Sequence, residues 1–347
     1  MGAERAVLCL MLTLLCGAAA AQEIPQIDSG RSKGGKTAIG AGPPAKDMFG
    51  SVTAPAPLAA RAIGSYSRGC LAGGVALPLN GRGWQVMRLS RNRNWGHPRL
   101  VAYLEQVAKD ARSIGWPGLL IGDLAQPRGG PMLTGHASHQ IGLDADIWLT
   151  PMPNRVLTRQ EREEMTAISM LRDPFNVDLN LWTPLHTRLI KLAASYPAVE
   201  RIFVHPAIKQ VLCDQAGRDR AWLAKVRPWW GHYYHFHVRI ACPPGSGGCR
   251  AQTPVASGDG CGTELDDWFT RLRQAEMQPA RPAKPTPANP PLTLEDLPAE
   301  CRTVLTFGGY TAPRRAAADR PAGPPPPHFQ LRSGLQQPGP FSSGRGD

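Results

Sequence analysis

The sequence predicts an α+β domain: a small, mostly antiparallel sheet with flanking helices. Three observations predict it. Short apolar runs of strand length are interleaved with segments of helical periodicity. The stretch from His235 to Ile240 alternates with period two and so presents two unlike faces, as a strand does. Turn formers punctuate the whole chain, since 37 glycines and 35 prolines make up about a fifth of its 347 residues.

The elements follow in order. Arg5, the apolar run from Ala6 to Cys16 and the small residues Ala18 to Ala21 have the layout of a secretory signal peptide, residues 1–21. That run is too short to span a bilayer, and no later stretch is long or apolar enough, so an exported, periplasmic protein is expected rather than an integral membrane protein. Residues 22–62 are rich in Gly, Ala, Pro and Ser, with Phe49 their only aromatic, and read as a flexible N-terminal arm. Globular composition runs from 63 to 273. Leu100, Val101, Leu104, Val107, Ala108 and Ala111 lie at helical spacing between Pro98 and Gly115. Leu119–Ile121 and Ala145–Leu149 read as buried strands, and Thr158 with Glu161 as a capping box opening a helix. A helix over Pro184–Ala194, a strand over Arg201–Val204 and a helix from Pro206 carrying Cys213 come next, before the strand at His235. Fifteen of the 35 prolines fall within 274–347, a tail too poor in apolar residues to bury a core. Only its patch from Leu292 to Leu305, which carries Cys301, is expected to return to the domain through a disulfide.

Loss of residues 1–21 would remove Cys9 and Cys16, leaving six cysteines. An even number in an exported chain reads as three disulfides. Fifteen pairings are possible, and local sequence supports one, Cys242 with Cys249 around a loop of turn formers. Zinc held by thiolates is disfavoured, because no C-x2-C pair remains. The 39 Lys and Arg against 27 Asp and Glu give a net charge of +12, which favours an anionic partner. The basic residues are scattered without an aromatic–basic stripe, which argues against nucleic acid.

Nine histidines are unevenly spread. His97, His186, His205 and His328 stand alone and read as capping or packing residues. His136 and His139 precede Asp144 and Asp146, and His232, His235 and His237 fall within six residues. Imidazole nitrogen and carboxylate oxygen together suit zinc, whose catalytic sites keep three protein ligands and one open position. His235 and His237 share a strand face, as do Asp144 and Asp146, and the turn Gln140-Ile141-Gly142 allows His139 to fold back towards Asp146. The competing structural readings are a buried acid satisfied by backbone amides, a surface strand histidine, and a closed four-ligand structural zinc.

The pattern His139-x6-Asp146 with His235-x-His237 downstream resembles the zinc peptidases that unite lysostaphin-type enzymes, D-alanyl-D-alanine peptidases and the hedgehog domain. The chain is most similar to the penicillin-insensitive murein endopeptidases of peptidase family M74. The likeness lies in Leu89-Ser90-Arg91-Asn92-Arg93, Gly135-His136-Ala137-Ser138-His139-Gln140, Gly142-Leu143-Asp144-Ala145-Asp146-Ile147, Val226-Arg227-Pro228-Trp229 and Ser257-Gly258-Asp259-Gly260-Cys261-Gly262. The resemblance implies that His139, Asp146 and His237 ligate zinc, that His235 is the catalytic histidine, and that His232 accompanies it near the zinc-bound water. Zinc chemistry then gives His232 the expected role of a hydrogen bond to the developing oxyanion. It makes His136 a further metal-associated residue. Asp173 matches the first half of a downstream Asp-x-x-His pair whose second half is Asn176 here, so a second metal through His136 and Asp173 lacks one ligand. The implied disulfides are Cys70–Cys301, Cys213–Cys261 and Cys242–Cys249. The implied substrate is peptidoglycan, cleaved at D-alanyl–meso-diaminopimelyl crosslinks without a serine for β-lactams to acylate. A homodimer is left open. The alternatives are a zinc D,D-carboxypeptidase or dipeptidase, which would use a Glu-x-x-His arrangement where this chain has His232-x-x-His235, and a non-catalytic zinc module that binds the wall.

Overall fold

The computed structural model describes residues 42–255, 257–277 and 290–309. The expected signal peptide, residues 22–41 of the arm, His328 and most of the Pro-rich tail lie outside the described residues. In chain order the elements are α1 (Ala45–Gly50), β1 (Arg61–Ser65), β2 (Arg68–Ala72), β3 (Val75–Ala76), β4 (Asn80–Gly81), β5 (Trp84–Val86), β6 (Trp95–Gly96), α2 (Pro98–Ser113), β7 (Leu119–Ile121) and β8 (Asp144–Trp148). There follow α3 (Arg159–Glu164), β9 (Leu171–Asp173), β10 (Asn176–Val177), α4 (Pro184–Ser195), β11 (Val199–Val204), α5 (Pro206–Gln215), β12 (Val226–Pro228), β13 (His235–Ile240), α6 (Thr263–Met277) and α7 (Glu300–Thr306).

Seven strands form one sheet in the order β12-β11-β13-β8-β7-β5-β4. Four of its neighbouring pairs are antiparallel, and two, β11 with β12 and β5 with β7, are parallel. The fold is therefore α+β with a mixed, mostly antiparallel main sheet and three two-stranded satellites. Helix α2 buries Leu100, Leu104, Val107 and Ala111, the residues whose spacing predicts it, in the same core as Leu119, Ile147 and Phe236 of the sheet. Each large aliphatic side chain removed from water there contributes roughly 1.5–3 kcal/mol. Thr158 and Glu161 make both hydrogen bonds of the capping box at the start of α3. No helix among the described residues is long and apolar enough to cross a membrane.

The chain from residue 42 to β1 departs from the flexible arm read in the sequence. Its one aromatic, Phe49, is fully buried in a second apolar cluster with Ile63, Cys70, Leu297, Cys301 and Val304. Gly130 makes room for that ring: a Cβ there would come within 2.2 Å of Phe49 Cγ. A low apolar content could not reveal this, because partners for Phe49 come from three distant segments. The disulfides Cys70–Cys301, Cys213–Cys261 and Cys242–Cys249 are present, and the first joins β2 to α7 within this second cluster. Helix α6 continues to Met277, four residues beyond the change of composition at Arg273.

Candidate metal centre

Strands β8 and β13 pair with His237 opposite Asp146, Arg239 opposite Asp144 and His235 opposite Trp148. Because alternate residues share a face, Asp144, Asp146, His235, His237 and Arg239 all project from one side of the sheet. The loop ahead of β8 brings two more imidazoles to that side. Its anchor is Gln140, whose Oε1 accepts from Gly69 N and whose Nε2 donates to Ser67 O and Ala137 O. At Gly142, φ is +70°, and a Cβ would press on Leu71 and the His97 backbone. His139 (φ +67°) and His232 (φ +52°) are two of four non-glycine residues in left-handed conformation among the described residues. Such conformations cost on the order of 1–3 kcal/mol each and persist where the surroundings enforce them.

Asp146 is the hub. Its Oδ1 lies 3.4 Å from His139 Nε2, 3.4 Å from His237 Nδ1 and 3.6 Å from His235 Nε2, and its Oδ2 lies 3.4 Å from His136 Nε2. The His139 ring sits 4.3 Å from His136 and 4.5 Å from His237, and His232 sits 4.9 Å from His235. Ligand atoms of His136, His139 and Asp146 lie within 4.8 Å of one another, so this group could hold a metal ion. Both nitrogens of His139, Asp146 Oδ1 and His235 Nδ1 are buried without a hydrogen-bond partner. Unpaired buried polar atoms are costly, and a cluster of N and O donors facing one another is what a divalent cation would satisfy.

Two further carboxylates set the geometry. Asp144, fully buried, accepts His237 Nε2 at 2.9 Å and Arg239 Nε at 2.8 Å on Oδ1, and the His139 backbone N–H at 3.0 Å on Oδ2. An ionised carboxylate only accepts, so Nε2 of His237 carries the proton and Nδ1 turns its lone pair towards Asp146. Asp123 accepts from Arg91, Arg93 and His136 at 2.9, 2.8 and 3.1 Å, steadying the His136 ring. Burial alone would raise these acids. The bond and charge of His136 with Arg91 and Arg93 more than offset it at Asp123, as Arg239 and His237 do at Asp144, so both lie well below the carboxylate range. Asp146 is likewise held ionised, burial being overcome by His235, His139 and His136. Burial pushes His139 down, His235 down to about 4, and His232 well down, the last helped by His235 and His237. For His139 and His235, neutral imidazoles beside an ionised carboxylate are the state that metal binding requires, whereas His136 is raised against burial by Asp146 and Asp123.

The expected site residues thus come together with one exception. Asp173 stands outside this group: on β9, its carboxylate is taken up by Asn176, the Phe175 N–H and Arg172. His232 departs from the expected oxyanion donor. Its Nδ1 lies 2.7 Å from the Trp230 carbonyl, which can only accept, so the neutral ring offers Nε2 as an acceptor. The three isolated histidines among the described residues cap helices: His97 and His205 accept from Arg99 N and Ala207 N, and His186 pairs with Thr183. The roles of Asp123, Asp144 and Arg239 were missed. Asp144 had a signal, its place two residues before Asp146, whereas Arg239 lacks one without the fold.

The family model of the penicillin-insensitive murein endopeptidases matches residues 62–306. A penicillin-insensitive murein endopeptidase of Haemophilus influenzae is 46% identical over 245 residues, covering 70% of this chain and 82% of the relative. Relatives with the same description from Klebsiella pneumoniae and Escherichia coli K12 are each 43% identical, over 265 and 256 residues, and are covered to 93% and 89% of their length.

Proposed function

Because the chain belongs to the family of penicillin-insensitive murein endopeptidases, we propose that it is a periplasmic zinc endopeptidase hydrolysing D-alanyl–meso-diaminopimelyl crosslinks of peptidoglycan. The observation that carries this reading is the convergence of His139, His237, His235 and His136 on Asp146, with both nitrogens of His139 and Oδ1 of Asp146 left unpaired. His139, Asp146 and His237 would hold the zinc, His237 through Nδ1, since Asp144 engages its Nε2. His136 stands beside them, tied to Asp123. A second metal through Asp173 finds no support in its contacts.

When bound, zinc supplies Lewis acidity to the scissile carbonyl and to the attacking water. The remaining chemistry belongs to the side chains. His235, buried and held neutral, is poised to accept a proton from water as its oxygen joins the carbonyl carbon. The C–N bond breaks, and that proton ends on the departing amine. His232, fixed by Trp230, presents an acceptor nitrogen and suits a second place on the proton's path rather than an oxyanion donor. No serine is acylated, so penicillin has nothing to trap. Three disulfides fit an oxidising compartment.

The test is digestion of crosslinked dimeric muropeptides by purified protein with penicillin present, products being read by mass. His235→Ala is expected to keep about one zinc per chain and to lose cleavage by roughly 100-fold or more. Full activity in His235→Ala, or in chelator-treated protein, would sink the mechanism.

A further inference from the structure

The sheet face that carries the histidines continues onto the neighbouring strands. Arg201 lies opposite Arg239, Phe203 lies opposite His237 on one side and Arg227 on the other, and directly paired residues share a face. Three arginines therefore follow one another beside the metal centre. Arg239 is taken by Asp144, and Arg227 is paired with Glu264. Arg201 pairs with no carboxylate among the described residues. Its terminal nitrogen donates to the Thr253 carbonyl, and its Nε is buried without a hydrogen-bond partner. Burial weakens its charged form, as do Arg239 and Arg227, with Glu200 opposing them.

Above this end of the sheet a groove of about 480 Å³ is lined by Arg201, Phe203, Trp229 and Trp268, and also by Asp267 and by Glu264, which Arg227 engages. That volume lies within the range of clefts that take small ligands. Trp229 is 51% exposed and presents an aromatic face at this groove. Phe203 divides the groove from the metal centre, its ring 5.3 Å from His237 and 5.9 Å from Trp229. One strand over and two residues along places the Arg201 backbone roughly 8 Å from that of His237, about the reach of an arginine side chain.

We propose that this groove is the subsite for the diaminopimelyl arm of the crosslink, with Arg201 receiving the free carboxylate on the carbon that bears the scissile nitrogen. The inference rests on the endopeptidase reading and adds to it which arm lies where. The chemistry matches on both counts: a carboxylate answers an arginine without an acidic partner, and the arm's alkyl chain answers the aromatic walls.

The test compares a crosslinked tetrapeptide dimer with its analogue amidated at that carboxylate, using zinc-loaded wild type, Arg201→Ala and Arg201→Lys. For the free acid, Arg201→Ala should raise KM by roughly 10- to 100-fold with a smaller change in kcat, and Arg201→Lys should recover part of the loss. For the amide, wild type and Arg201→Ala should be equal within a few-fold. If wild type prefers the acid and Arg201→Ala keeps that preference in full, the subsite is overturned while the peptidase reading stands. Calorimetric binding of both dimers to the metal-free proteins separates the two readings in the other direction. Binding of the acid that depends on Arg201, without cleavage by the loaded enzyme, supports the subsite and overturns the peptidase. Equal binding of acid and amide by wild type overturns the subsite.

Discussion

Asp144 touches both candidate metal-binding histidines, by different means. Through Oδ1 it sets the tautomer of His237, and through Oδ2 it holds the backbone of His139 in a left-handed conformation. Arg239 neutralises it with two hydrogen bonds and packs 3.9 Å over the Tyr66 ring. A carboxylate in this position does for the ligand rings what outer carboxylates do in other zinc sites, where their loss weakens metal binding about 10- to 100-fold. Asp144→Asn should therefore lower zinc affinity by that factor in a chelator competition, and more than a substitution at Asp173, whose carboxylate is taken up on β9. An unchanged affinity would remove Asp144 from the metal site. Asp144 and Asp146 share a face in any strand reading, and alternation alone offers no way to tell the ligand from its support; only the family resemblance singles out Asp146. That distinction depends on which carboxylate meets His237 Nε2, and so on the register of β8 against β13.

At the scale of elements, helix α5 carries a lysine that no surface helix would bury. Lys209 has no solvent exposure, and its Nζ donates to Leu223 O at 2.9 Å and Asp259 O at 2.6 Å. Burial first, then Arg227, pushes its pKa down to about 7, against the pull of Asp259 and Glu264. The unfolded chain keeps this lysine protonated up to about pH 10.4. Between the two values the unfolded state holds more protons, so stability due to this group rises with pH from about 7 to about 10.4. The slope approaches about 1.4 kcal/mol per pH unit within that window. Lys209→Met should flatten it, as measured by urea unfolding at pH 7.5 and 9.5. Equal slopes in both proteins would show that Lys209 stays charged in the fold. Helical spacing places α5 correctly, but burial of a charged residue follows from the loop at Asp259 covering it, which spacing does not encode.

For the whole molecule, two of the three apolar clusters among the described residues and the three disulfides divide the work. The larger cluster joins α2, α4 and α5 to the sheet, and the smaller one joins α1, β1, β2 and α7. Cys70–Cys301 spans 231 residues of sequence inside the smaller cluster, and Arg128 donates to the carbonyls of Val304, Leu305 and Phe307 at the end of α7. Closing so long a loop is worth about 2–5 kcal/mol. Replacing both cysteines by serine should lower the melting temperature by roughly 4–20 °C, as scanning calorimetry would register. An unchanged melting temperature would mean that the apolar contacts alone hold α7. This linkage also bears on the metal centre, because the hairpin stapled by Cys70 is the one whose backbone holds Gln140, next to His139.

The sequence by itself determined the α+β class, four of the seven described helices, the four strands β7, β8, β11 and β13 of the main sheet, and the two histidine clusters that belong to one site. These are local matters of periodicity, capping and residue chemistry, and they survive without knowledge of the fold. Only the tertiary structure decided that Phe49 belongs to a core, that Asp173 stands apart from the histidines, and that His232 presents an acceptor. It alone also brought Asp123 and Asp144 to the ligand rings, set Arg239 against Asp144, and left Arg201 in no ion pair among the described residues. The physical reason is the same in each case: which partner a buried polar or aromatic group finds is fixed by strand register and loop closure between residues far apart in the chain.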